Sequence, residues 1–147
     1  MKPKFKKLYM TIAETVAKMS SARRLQVGAI VVKDDRVISM GYNGMPSGWD
    51  NNCEFVAEQH EDGGTVLKTR PEVLHAETNA IAKLARSTES GLDADLFITH
   101  SPCLDCAKLI YQSGIKRVWF GTAYRDNAGV DFLKASGVEV VQTGLTD

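Results

Sequence analysis

Two short stretches, His75-Ala76-Glu77 and Pro102-Cys103-Leu104-Asp105-Cys106, bring an imidazole, a carboxylate and two thiols into one chain. Cysteines three apart on a helix share a face, so both sulfurs can reach a single ion. The second stretch reads as the junction between a strand and a helix, with Ser101 placed to cap the helix and Pro102 suited to its first position. A helix N-terminus also favours the thiolate that a metal needs. One imidazole with two thiolates matches zinc in ligand softness. His75, Cys103 and Cys106 are three protein ligands, and the fourth position stays open for water, the mark of a catalytic site. Zinc brings the pKa of such a water towards ~7, so hydroxide exists at neutral pH. Glu77, two residues after His75, is the group that can carry the protons.

Other readings of these residues exist. A redox-active CxxC calls for neither His75 nor Glu77. A closed zinc site needs a fourth ligand, which Cys53 or His60 could supply. A full second set of four ligands is not visible, so one catalytic zinc is expected and a second, structural zinc is not.

The elements that hold these residues follow from periodicity. Leu8, Ile12, Val16 and Met19 have helical spacing within 5–20. VGAIVV (27–32) and RVISMGY (36–42) read as strands, and Asp34-Asp35 between them marks a hairpin turn. Residues 74–87, 103–113 and 128–136 read as helices. DLFITH (95–100), RVWFG (117–121) and VEVVQ (138–142) read as strands. The order predicts an α/β fold, a three-layer α/β/α sandwich with a five-stranded mixed sheet, whose later strands run parallel. Residues 44–73 are rich in Gly, Asn and Asp and have little periodicity. A connection of that length reads as a binding loop, and Trp49, Cys53 and Phe55 argue that it is ordered.

Bulk properties set limits. A chain of 147 residues fits one domain, 1–147, and 44% hydrophobic residues suffice for a core. Lys plus Arg equal Asp plus Glu at 18 each, which argues against a protein built to grip long polyanions. No nucleic-acid partner is expected. No signal peptide or membrane span is visible, so neither is a membrane partner, and a reducing cytoplasm suits the unpaired thiols.

H-x-E followed by P-C-x-x-C is the established signature of zinc nucleobase deaminases. Beyond it, residues 21–143 resemble the dCMP deaminases of the zinc-dependent cytidine/deoxycytidylate deaminase family, phage and bacterial versions above all. The stretches that carry the likeness are RLQVGAIVVKDDRVISMGYNGMPSG (24–48), HAETNAI (75–81), SPCLDCAKLIYQSGIKRV (101–118) and TAYR (122–125). The resemblance implies that dCMP and water give dUMP and ammonia, feeding thymidylate synthesis. It implies Asn43 on the sugar hydroxyl, the base near Val27, and the Ala76 amide on the pyrimidine carbonyl. Arg24, Tyr124 and Arg125 would hold the 5′-phosphate, a role that suits guanidinium forks and a phenol. It also implies a homo-oligomer, a hexamer, and the effectors dCTP and dTTP, with Gly41–Gly44 and Arg86 near regulatory contacts. The setting would be cytoplasmic, the host cytoplasm for a phage enzyme. Rivals are a deaminase of CMP, dCTP, deoxycytidine, cytidine or tRNA adenosine, and a non-catalytic zinc module.

Overall fold

The computed structural model describes residues 1–124 and 126–144. Its elements are α1 (Pro3–Ala17), β1 (Gly28–Lys33), β2 (Arg36–Tyr42), β3 (Glu54–Gln59), β4 (Thr65–Thr69), α2 (Ala76–Ala85), β5 (Asp95–His100), α3 (Leu104–Gln112), β6 (Arg117–Thr122), α4 (Ala128–Ala135) and β7 (Glu139–Gln142). Five strands form one sheet in the order β2-β1-β5-β6-β7. β1 runs antiparallel to both β2 and β5, whereas β5, β6 and β7 run parallel. This is the mixed sheet expected from two strands joined by a tight turn and three joined through helices. Asp34 and Asp35 both take positive φ, 51° and 58°, as the primed hairpin turns require.

Alternation along the central strands divides the core. Ile30, Val32, Phe97 and Trp119 pack on Tyr9, Met10, Ala13 and Val16 of α1. Ala29, Val31, Leu96, Ile98, Val118 and Phe120 face the other way, onto α2, α3 and α4 through Ala80, Leu84, Ala107, Ile110 and Leu133. One helix therefore covers one face and three cover the other, giving the three layers. The consequence for the site is positional: α2 and α3 both begin beside the C-terminal end of β5.

Gly41 sets the distance between β2 and α2. A Cβ there would meet the Ala76 carbonyl oxygen at 2.4 Å and the Ala80 nitrogen at 2.6 Å, both backbone atoms. Neither can swing away, so Gly41→Ala must push α2 off the sheet. Overpacking of this kind costs about 1–3 kcal/mol or more, and melting should fall by ~2–4 °C per kcal/mol. A melting curve unchanged from wild type would show that this close approach is not made.

Residues 44–73 depart from the structureless loop that their composition suggests. β3 and β4 pair antiparallel within it, as a separate two-stranded sheet. The register shifts between Val56 and Glu58, which breaks the alternation that would have revealed the strands. Phe55 and Val56 are also exposed, so no apolar face marks the hairpin. Cys53 is buried just before it.

Candidate active site

The strand-to-helix junctions bring the metal-binding side chains together. His75 is the N-cap of α2 and Cys103 the N-cap of α3; both have extended backbone, with ψ of 156° and 170°. Cys106 lies in the first turn of α3 and is buried. His75 Nδ1 is 3.2 Å from Cys106 Sγ and 3.7 Å from Cys103 Sγ. All three ligand atoms lie within 4.8 Å of one another. A tetrahedral zinc with Zn–N near 2.0–2.1 Å and Zn–S near 2.3 Å separates such N and S atoms by about 3.5 Å. The two nitrogen–sulfur distances bracket that value, so the donor set fits zinc in geometry as well as in softness.

Ser101 does not cap α3, contrary to the expectation from its sequence neighbours; the N-cap is Cys103. The chain stays extended through Cys103, so the helix begins two residues later than a Ser101 cap requires, and Pro102 lies outside it. The Ser101 hydroxyl instead accepts the Tyr124 backbone N–H at 2.6 Å. It thereby ties the segment after β6 to the rim of the metal site. Gly129 completes this corner: a Cβ there would lie 2.1 Å from the Pro102 carbonyl oxygen, so α4 can approach the cysteine loop only with glycine at that position.

Glu77 is buried beside the Cys106 thiol. Burial raises its pKa to about 7, and its own backbone amide and the Cys106 thiol only partly oppose this. Burial also raises the Cys106 thiol, with the Glu77 charge adding to the effect. A divalent cation reverses this balance by favouring thiolate and carboxylate alike.

A cavity of about 360 Å³ opens onto the centre. Its walls include Arg24, Val27, Asn43, His75, Ala76, Glu77, Cys103 and Tyr124. The fold thus gathers residues from both ends of the sequence. Cys106 sits behind this surface. Arg125 lies outside the described residues. Asn43 also braces the backbone. Its Oδ1 accepts the Val27 N–H at 2.8 Å and its Nδ2 donates to the Leu25 carbonyl at 2.8 Å. The amide holds the turn into β1, and it retains a second N–H and a second lone pair for a ligand. Arg86 is the C-cap of α2. His60 is exposed and pairs with Glu58 at 3.9 Å. Among the described residues, His75, Cys103 and Cys106 make up the group able to hold a metal.

Three polar wall residues are not singled out by the sequence: Glu54, Thr69 and His100. The His100 Nδ1 lies 3.0 Å from Thr99 Oγ1, which accepts the Gly28 N–H at 3.2 Å. Burial lowers the His100 pKa. Its place immediately before Ser101-Pro102-Cys103 was the available signal. Glu54 and Thr69 belong to the hairpin and had none.

Comparison with known proteins gives a consistent likeness. Residues 3–122 match the family model for the cytidine and deoxycytidylate deaminase zinc-binding region. The deoxycytidylate deaminase of Enterobacteria phage T4 is 33% identical over 166 residues, covering 89% of this chain and 86% of its own. The Saccharomyces cerevisiae deoxycytidylate deaminase is 32% identical across the whole of this chain, which spans 47% of that protein. A crystal structure of the dCMP deaminase from cyanophage S-TIM5, in complex with dCMP and dUMP, superposes with a TM-score of 0.88. It is 46% identical, covering 97% of this chain and 99% of that one.

Proposed function

Because the chain belongs to the cytidine and deoxycytidylate deaminase family, we propose that it is the enzyme converting dCMP and water to dUMP and ammonia, with zinc as cofactor. The observation that carries this reading is a single cavity walled by His75, Cys103, Glu77, Asn43, Arg24 and Tyr124. Two of the metal ligands, His75 and Cys103, and the groups suited to a sugar and a phosphate face one space. A nucleoside monophosphate is the substrate whose three parts match that wall.

His75, Cys103 and Cys106 would hold the zinc, which when bound would supply Lewis acidity and bring the pKa of water towards ~7. All else falls to the chain. Glu77 accepts the proton of the attacking water, delivers it to N3 of the cytosine ring, and carries another to the departing amino group. Its burial next to the ligands keeps those transfers short and shielded from bulk water. The Ala76 N–H, at the start of α2, donates to the pyrimidine carbonyl; the first amides of a helix have no partner within it. Val27 packs on the base. Asn43 uses its spare donor and acceptor on the sugar hydroxyl. Arg24, Tyr124 and Arg125 hold the 5′-phosphate, where guanidinium groups form charge-assisted bonds.

The balanced charge, 18 basic against 18 acidic residues, supports a small substrate over a nucleic acid. Among the described residues no helix is long and apolar enough to cross a membrane, and the proposal places the enzyme in the cytoplasm. A homo-hexamer responsive to dCTP and dTTP completes the reading. Exposed Leu104, Leu109 and Tyr111 on α3 support a subunit contact.

A steady-state panel of dCMP, CMP, dCTP and deoxycytidine tests the substrate. The kcat/KM for dCMP should exceed that for deoxycytidine by at least ~100-fold, since losing two or three charge-assisted bonds costs well over ~2.7 kcal/mol. Equal values for the two would overturn the phosphate assignment.

A further inference from the structure

The β3–β4 hairpin contributes a buried charge whose hydrogen bonds come from two main-chain amides. Glu54 is 1% exposed. Its Oε2 accepts the backbone N–H of Arg23 at 2.9 Å and that of Arg24 at 3.0 Å. Its Oε1 is buried without a hydrogen bond, and lies 3.5 Å from Arg23 Nε. Burial alone would raise this carboxyl, but the amides of Arg24 and Arg23 and the Arg23 guanidinium outweigh it and hold the pKa below the usual value. Taking a carboxylate out of water is unfavourable until such bonds offset the lost hydration. An apolar residue could fill the same volume more cheaply, so the carboxylate's distinctive product is the fixed position of two consecutive amides.

The opposite strand grips the same segment. Thr69 is the cross-strand partner of Glu54, so their side chains share a face of the hairpin. The Thr69 hydroxyl accepts a hydrogen bond from Arg24 Nη1 at 3.0 Å. One pair of facing residues thus fixes Arg24 at both ends, its amide through Glu54 and its guanidinium through Thr69. Arg23, by contrast, reaches the segment before β3, with Nη2 3.3 Å from Asn52 Oδ1. Of the two arginines, Arg24 is the one that lines the cavity.

We propose that Glu54, assisted by Thr69, is a positioning residue that holds Arg24 in place for the substrate phosphate, so that the hairpin sets the enzyme's preference for a nucleotide over a nucleoside. This rests on the reading of Arg24 as a phosphate ligand. Glu54 borders the cavity, but it is 1% exposed and its Oε2 is occupied by the two amides, so the residue works through Arg24. A misplacement of about 1 Å can cost ~100-fold in rate or binding.

The test compares dCMP with deoxycytidine for zinc-loaded Glu54→Ala, Glu54→Gln, Thr69→Val and Arg24→Ala. Glu54→Ala should raise KM for dCMP by about 10–100-fold, with kcat for dCMP and kcat/KM for deoxycytidine each changed by less than ~3-fold. Glu54→Gln keeps an oxygen where Oε2 accepts both amides, and should restore KM to within ~3-fold of wild type. Thr69→Val removes an exposed contact and leaves the hairpin intact. It should shift KM in the same direction by about threefold, the worth of one modest hydrogen bond, and it decides the matter should Glu54→Ala not fold. Equal losses on dCMP and deoxycytidine in Glu54→Ala, or no KM change in Thr69→Val, would overturn the inference. If Arg24→Ala alone collapses the preference, the hairpin inference fails and the phosphate reading stands. If Arg24→Ala leaves the preference intact, the phosphate reading itself fails.

Discussion

Glu77→Gln should retain one zinc per chain and lose about 10²–10⁴-fold in kcat on dCMP, the range that general acid–base catalysis commands. The substitution keeps the size and planarity of the side chain, so the wall of the cavity survives. It removes the one property the reaction requires, which is the ability to take up a proton and release it. Glu77 is buried in the first turn of α2, beside Cys106 and two residues after His75. Of the other titratable groups on the wall, His100 at the end of β5 faces Thr99, and Glu54 is turned to the Arg23 and Arg24 amides. In the proposed mechanism the proton to N3 and the proton to the amine both pass through Glu77, so the loss is expected to be large. Zinc content by elemental analysis and turnover by the absorbance change of cytosine to uracil provide the two readouts. A zinc-replete variant with wild-type turnover would remove Glu77 from the mechanism.

Cys106→Ala should abolish zinc binding and activity together. The three ligands come from two helix starts, and Cys106 is the one buried between them. Losing it leaves His75 and Cys103, too few for a tight site. Metal bound only by the folded chain also adds to stability, by about 1.4 kcal/mol for each tenfold excess over its dissociation constant. Chelation should therefore lower the melting temperature of the wild type, with no further fall for Cys106→Ala. A variant that retained stoichiometric zinc would show that the ion sits elsewhere.

How much of the fold and the site is legible in the sequence depends on how locally each feature is encoded. His75, Glu77, Cys103 and Cys106 lie in two runs of three and five residues, each at a helix start, so residue type and spacing suffice. The main sheet is legible because its central strands are buried and continuous in their apolar pattern; DLFITH and RVWFG have few other readings. The hairpin is not, because its strands are largely exposed and its register shifts at Val56–Glu58. Ser101 resembles a helix cap from its neighbours alone, yet it bonds Tyr124, a residue brought near by the parallel pairing of β5 and β6. Glu54 is invisible for a stronger reason. A glutamate on a polar hairpin is ordinarily solvated, and its partners are backbone amides, which no sequence pattern marks.

The substrate assignment likewise depends on surroundings rather than on the metal ligands. His75, Cys103, Cys106 and Glu77 suit hydrolysis of an amidine on any accessible base. Arg24, Asn43 and Tyr124, gathered in the same cavity, are the groups that the proposal assigns to the sugar and phosphate of a nucleotide.

The central claim is tested most directly by incubating the zinc-loaded wild-type protein with dCMP and quantifying dUMP and ammonia over time. Equimolar dUMP and ammonia, formed catalytically and stopped by chelation, is the predicted result. Zinc bound by the protein with no dUMP formed would contradict it.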